Sequence, residues 1–132
     1  MTESKTFGFA PPWDKAIGKV YTVASLAEKL DVEETKVAEW ASRNKLVALE
    51  TGSGNLVFPV FQFDSQMKVL PGLLQVWKIL KEAEVTDWTR TQWLNTPILG
   101  QANGSIIELL TKKDGLKKAL FEANEIVRVW IQ

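Results

Sequence analysis

Apolar residues recur at helical spacing through the second half of this chain, and that period limits the fold more than any single motif does. From residue 69 the pattern is helical. Leu70, Leu73, Leu74, Trp77 and Leu80 fall at i, i+3, i+4, i+7 and i+10. Thr86 or Asp87 opens the next helix, which carries Trp88, Trp93 and Leu94 and stops near Thr96-Pro97, because the residue before a proline is pushed out of the α region. Ile98 to Gly104 is a loop. Ser105-Ile106-Ile107-Glu108 has the spacing of a capping box and opens a short helix with Leu109 and Leu110. Asp114 opens the last helix, with an apolar stripe of Leu116, Ala119, Leu120, Ala123, Ile126, Val127 and Trp130.

The first half has a different rhythm. Thr22, with Ser25 as a second candidate start, caps a helix whose apolar positions are Val23, Leu26, Ala27 and Leu30. Asp31-Val32 makes the break. Glu33 and Glu34 sit in the first turn of a second helix, where the dipole favours them, and Val37, Ala38, Trp40 and Ala41 form its apolar face. Leu46, Val47 and Leu49, the turn Thr51-Gly52-Ser53-Gly54-Asn55, and Leu56-Val57-Phe58 predict a small hairpin, with Pro59 confining the second strand to an edge or ending it. The expected fold is therefore mainly α: an N-terminal helix–turn–helix with a small β-hairpin, packed on a C-terminal bundle of about four helices. Residues 1–19 form an arm with Phe7, Phe9 and Trp13 around Pro11-Pro12, residues 20–63 the winged helix–turn–helix-like module, and residues 64–132 the helical domain.

Composition removes most enzyme classes. The 132 residues contain no His and no Cys, which excludes Ser-His-Asp, Cys-His and imidazole acid–base chemistry, disulfides, and thiolate or imidazole metal sites. The carboxylate pairs Glu33/Glu34 and Glu82/Glu84 do not share a helix face and make poor acid–base dyads. The Gly turn at 52–55 lacks the Lys-Ser/Thr of a phosphate loop. No catalytic, cofactor-binding or metal-binding residue is expected, and the chain is read as not an enzyme. No run approaches a membrane span, and MTESKTFGFAPPW lacks the charge pattern and apolar core of a signal peptide, so the expected location is the cytoplasm. Six Trp and six Phe leave both a large core and an aromatic interface open.

Two stretches resemble known families. Trp93-Leu94-Asn95-Thr96-Pro97-Ile98-Leu99, Asn103-Gly104-Ser105 and Ile107-Glu108-Leu109-Leu110, together with the upstream Phe58-Pro59-Val60-Phe61-Gln62-Phe63-Asp64 and Leu70-Pro71-Gly72-Leu73, resemble the toxin-binding domain of the Xre/MbcA/ParS antitoxins over about residues 56 to 130. Ile106 stands where that family usually has Pro, and Ser105 as N-cap makes the Pro dispensable. The resemblance implies the antitoxin of a type II toxin–antitoxin pair. Such a protein sterically covers a partner toxin, most often a RES-domain protein that attacks NAD. It also tends to self-associate, and it often regulates its own operon. On this reading Trp93, Leu94, Thr96, Pro97, Leu99 and Gly104 shape the family's corner, supported by Ile107 and Leu110. Arg128, Trp130 and Ile131, in an apolar terminal turn, are the candidates for entering the toxin, although that turn could equally pack on the chain's own core.

The second resemblance is to excisionase-type or MerR-type winged helix–turn–helix modules. It rests on Tyr21-Thr22-Val23-Ala24-Ser25-Leu26-Ala27, Leu30, Val32, Val37, Trp40, Asn44-Lys45-Leu46, the Gly turn and Phe58-Pro59. It implies DNA binding through the second helix and the hairpin, with Lys36, Arg43 and Lys45 as contacts. The charges argue against this. Glu33, Glu34 and Glu39 share the second helix with those cations, and the wing turn has no cation. Net charge is zero and nearly even along the chain, with seven cations and eight anions in residues 1–60 and nine and eight in residues 61–132. A protein partner is thus the first expectation and a DNA-binding regulator with a helical dimerisation tail the alternative. Lys112-Lys113 and Lys117-Lys118 form a basic cluster that could meet an acidic surface or be plain solvated helix ends.

Overall fold

The computed structural model describes residues 17–98 and 104–132. The aromatic arm at 1–16 and the corner residue Leu99 lie outside the described residues. The winged half consists of β1 (Val20–Thr22), α1 (Val23–Leu30), α2 (Glu34–Ser42), β2 (Leu49–Glu50) and β3 (Leu56–Pro59). A 3-10 turn over Val60–Gln62 leads to four helices: α3 (Leu73–Leu80), α4 (Asp87–Leu94), α5 (Ile106–Leu110) and α6 (Gly115–Ile131). The fold is mainly α with a small antiparallel sheet, as the apolar periods predict.

Local chemistry explains most boundaries. Thr22 caps α1 in a reciprocal box: its Oγ1 accepts from the Ser25 N–H at 3.0 Å, and Ser25 Oγ accepts from the Thr22 N–H at 2.8 Å. Both helices of the helix–turn–helix end on a left-handed residue, Asp31 (φ 59°) and Asn44 (φ 57°), residue types that tolerate that region. At the second, the Lys45 N–H returns to the Trp40 carbonyl and the Asn44 N–H to the Ala41 carbonyl, closing the last turn of α2.

Two expectations need correction. The expected hairpin is part of a three-stranded sheet in the order β1-β3-β2, so β3 is central, and of the two expectations for Pro59 it is the ending of the strand that holds. Pro59 is its last residue, paired with Val20, and the next N–H, that of Val60, donates to the Lys19 carbonyl. The missing strand was β1, too short at three residues to show a period of two. Helix α3 begins at Leu73, not near residue 69. Gly72 takes φ +85°, and a Cβ there would stand 2.4 Å from Leu116 Cδ1, so the chain turns sharply where α6 comes close. The buried face of α3 is accordingly Leu73, Val76, Trp77 and Leu80, with Leu74 half-buried. At the end of the expected arm, Ile17 is buried with Leu49 and Val57, beside Val20 and Trp88.

The winged half has its own core of Leu26, Ala27, Val37, Leu46 and Phe58. The bundle core contains Leu73, Val76, Trp77, Leu80, Leu94, Ile106, Leu109, Ala119, Ala123 and Val127. Val47, although it lies in the winged half, packs into the bundle core. Its backbone is held by Gln62, which is fully buried: the Val47 N–H donates to Gln62 Oε1 at 2.8 Å, and Gln62 Nε2 donates to the carbonyls of Val47 at 2.8 Å and Pro59 at 3.1 Å. One side-chain amide thus completes the backbone hydrogen bonding where the halves join. Trp88 of α4 adds a second tie, its indole N–H donating to the Glu50 carbonyl of β2 at 3.1 Å.

Candidate functional site

The family corner is built by the end of α4 and the start of α5. Thr86 caps α4 through the Thr89 N–H, and Arg90 locks its inner face. Arg90 is 7% exposed, yet its charge is answered by Asp87 and by the carbonyls of Leu80 and Ala83, the loose end of α3. Helix α4 ends at Leu94, and Thr96 and Pro97 then lie exposed at the surface. The chain returns through the Ile98 N–H, which donates to the Gly104 carbonyl. Gly104 has φ +81°, and a Cβ there would come 1.9 Å from Glu108 Oε1. That carboxylate is half of the predicted capping box: it accepts from the Ser105 N–H at 3.0 Å, while Ser105 Oγ accepts from the Glu108 N–H at 3.3 Å. Glycine is needed here on two counts, the left-handed backbone and the space for the cap.

The predicted site residues separate into interior and surface. Leu94, Ile107 and Leu110 are buried and hold the corner from inside. Trp93 is half-buried and meets half-buried Trp130 of α6 edge to face, with ring centroids 6.2 Å apart and planes at 73°. The corner and the last helix, far apart in sequence, are therefore brought together. Ile98 is half-buried and packs on the same bundle core. Ile131 is 62% exposed and Val129 61%, against 4% for Val127 in the same turn. The three residues expected to act together in that turn do not share a face. At 100° per residue, Arg128 lies on the side of α6 opposite Trp130, and its guanidinium is out in solvent, 3.6 Å from Glu125. Trp130 belongs to the corner, Ile131 flanks it, and Arg128 faces elsewhere.

The other candidate surface is the winged module. Its helix α2 exposes Glu34, Thr35, Lys36, Ala38 and Arg43. Glu39 sits between the two cations and pairs with both, at 3.5 Å to Lys36 Nζ and 3.1 Å to Arg43 Nη2. Lys36 also lies over the Trp40 ring at 5.8 Å. Lys45 is exposed just past the helix end. The wing folds on itself: Thr51 Oγ1 and Ser53 Oγ share a hydrogen bond at 3.0 Å, and Asn55 Nδ2 donates to Ser53 Oγ at 3.1 Å. Residues 20–63 hold four Lys or Arg against six Asp or Glu. The topology is that of a winged helix, but the face that would meet phosphate is close to neutral.

A cleft of about 230 Å³ lies at the seam, lined among others by Ala38, Ser42, Leu46, Glu50, Trp77 and Lys81. Lys81 is already paired with Asp87 at 3.1 Å. The basic residues Lys112, Lys113 and Lys117 are exposed around the start of α6, and Lys118 reaches Glu122 at 3.6 Å. Among the described residues no group of three or more acidic side chains is placed to hold a metal ion, and no helix is long and apolar enough to cross a membrane. The positioning roles of Gln62 and Arg90 have no signal in the sequence. Gln62 stands in an apolar run where a single amide gives no period, and Arg90 looks like any helix-surface cation.

The fold recurs in a solved structure. The chain is similar to the NMR structure of Rv2175c, with a TM-score of 0.66 and 22% identity over 92% of this chain and 86% of that one. The match spans both halves, so the arrangement of winged module and helical bundle is shared as a fold. No protein-family model and no curated protein matches the sequence.

Proposed function

We propose that this protein is a non-enzymatic, cytoplasmic binding protein of the antitoxin kind, whose helical half docks on a partner protein and blocks it sterically. The observation that carries this reading is the half-buried Trp93–Trp130 pair, with exposed Thr96 and Pro97 following Trp93 in the chain and exposed Ile131 following Trp130. Paired aromatic anchors partly open to solvent, with apolar groups next to them in the chain, match the make-up of interface hot spots. The resemblance of the corner to the Xre/MbcA/ParS toxin-binding domain gives the partner its class, a RES-type toxin. The test is co-expression with a RES-domain protein encoded beside this gene. The pair is expected to co-purify and the cells to grow, whereas Trp130→Ala and removal of residues 128–132 abolish both effects while the bundle stays helical. Growth rescue by the truncated chain would sink the role of the last turn, and failure of the intact chain to co-purify would sink the reading.

The second reading, a DNA-binding regulator, is favoured by the completeness of the winged helix–turn–helix: both helices, the central strand and the wing are in place. It predicts a mobility shift on the DNA upstream of its own gene, steeply weakened by salt and by Lys36→Ala or Arg43→Ala. No shift at low salt eliminates it.

A further inference from the structure

The outward face of α6 carries a pattern that the aromatic corner does not use. Phe121 is 59% exposed on it, although an aromatic ring of this size is ordinarily covered. Along the same stripe lie Asp114, Lys117, Glu125 and Arg128, spaced so that they fall on one side of the helix. The opposite side is occupied by α3 and α5, so this stripe is directed away from the bundle core.

The charges on the stripe are mirror-related in sign about Phe121. Lys117 is four residues before it and Glu125 four after; Asp114 is seven before and Arg128 seven after. We propose that α6 pairs antiparallel with α6 of a second copy of this chain, about a two-fold axis at Phe121. In such an isologous contact, residues equidistant from the axis face each other. Phe121 then stacks on Phe121 of the other copy, each Lys117 meets a Glu125, and each Asp114 meets an Arg128. Lys118 falls opposite Asn124, where no like charge opposes it. Parallel pairing would set each of these charges against its own kind, so the pattern selects the antiparallel arrangement. Among the described residues few contacts within the chain compete. Arg128 reaches Glu125 only at 3.6 Å, with both side chains well exposed, and such a pair gives way easily to a better-placed partner. The stripe lies on the side of α6 away from Trp130, so a dimer formed this way leaves the aromatic corner free, and the proposal stands independently of the partner reading.

One helix pair makes a small interface, so the dimer forms at high micromolar concentration. Sedimentation equilibrium from about 10 µM to about 1 mM tests it, a range suited to weak association. The wild-type mass is expected to rise from 14.9 kDa towards twice that value. Lys117→Glu alone and Glu125→Lys alone each put like charges together twice per dimer and are expected to weaken association at least about tenfold, with unchanged circular dichroism. An equimolar mixture of the two variants restores opposite charges at both positions and is expected to recover the dimer mass as a heterodimer. Phe121→Asp stays monomeric throughout. A wild-type chain that remains monomeric at the highest concentration, a mixture that fails to recover, or a Phe121→Asp variant that associates like the wild type would each overturn the proposal.

Discussion

Helices α1 and α5 are opened by the same reciprocal cap, Thr22 with Ser25 and Ser105 with Glu108, yet the halves they belong to offer solvent different chemistry. The winged half surrounds a small core with charges that cancel one another. Glu39 holds both Lys36 and Arg43, and the polar residues of the wing bond to each other. The helical half has the larger core and leaves apolar and aromatic groups partly uncovered at Trp93, Trp130, Val129 and Ile131. Topology alone would assign recognition to the winged half, because its helix–turn–helix and wing are complete. On the function proposed above, the distribution of charge and exposed apolar surface favours the helical half. Fold and site are separable, and here they point to different ends of the molecule.

The sharpest way to break this comparison is to cut the tie between the halves. Gln62→Ala removes three hydrogen bonds and leaves the buried N–H and C=O of Val47 unanswered. A loss of about 3 kcal/mol is expected in urea denaturation, since each orphaned buried backbone group costs about 1–3 kcal/mol. If the halves are stable apart, the single unfolding transition of the parent becomes two in this variant. A loss below about 1 kcal/mol would mean that the apolar contacts of Val47 and Trp88 hold the seam without the amide.

A smaller effect separates the two caps. Ser105 is 3% exposed and its cap lies against the bundle core, whereas Thr22 is exposed. Ser105→Ala is expected to cost about 1.5 kcal/mol and Thr22→Ala about 0.5 kcal/mol, the upper and lower parts of the range for cap removal. Equal losses in thermal melts would show that burial of the cap does not matter here. Because Gly104 and Glu108 belong to the same cap, Ser105→Ala should also loosen the corner that carries Trp93.

Much of this architecture was legible before any coordinates. The period of 3.6 placed the stripe of α6 down to Trp130, the S-x-x-E spacing marked α5, and Thr22 and Thr86 marked helix starts, because capping is a local event written in neighbouring residues. What could not be read was non-local. Strand β1 is three residues of ordinary composition until β3 pairs with it, and the close approach of Leu116 to Gly72, 44 positions earlier, is set by the packing of α6. The residues around Pro97 read as one group in sequence, but the split into buried Leu94, Ile107 and Leu110 and exposed Thr96 and Pro97 is set by packing. Arg128 was grouped with Trp130 by proximity in sequence, while the helix turn sends them to opposite faces.

The smallest effect on stability carries the most information about the winged half. Glu39→Gln removes the carboxylate that holds both Lys36 and Arg43 while keeping the shape of the side chain. All three groups are well exposed, so unfolding free energy should change by less than about 0.5 kcal/mol. If the near-neutral face of α2 is what keeps this module off DNA, releasing the two cations should raise non-specific affinity for duplex DNA and steepen its salt dependence by about one to two phosphate contacts. If the winged helix already binds DNA, the same change strengthens an existing shift instead of creating one. No change in either affinity or salt slope would mean that the anionic first turn at Glu33 and Glu34, which the helix dipole favours in place, sets the electrostatics of this face and that Glu39 does not.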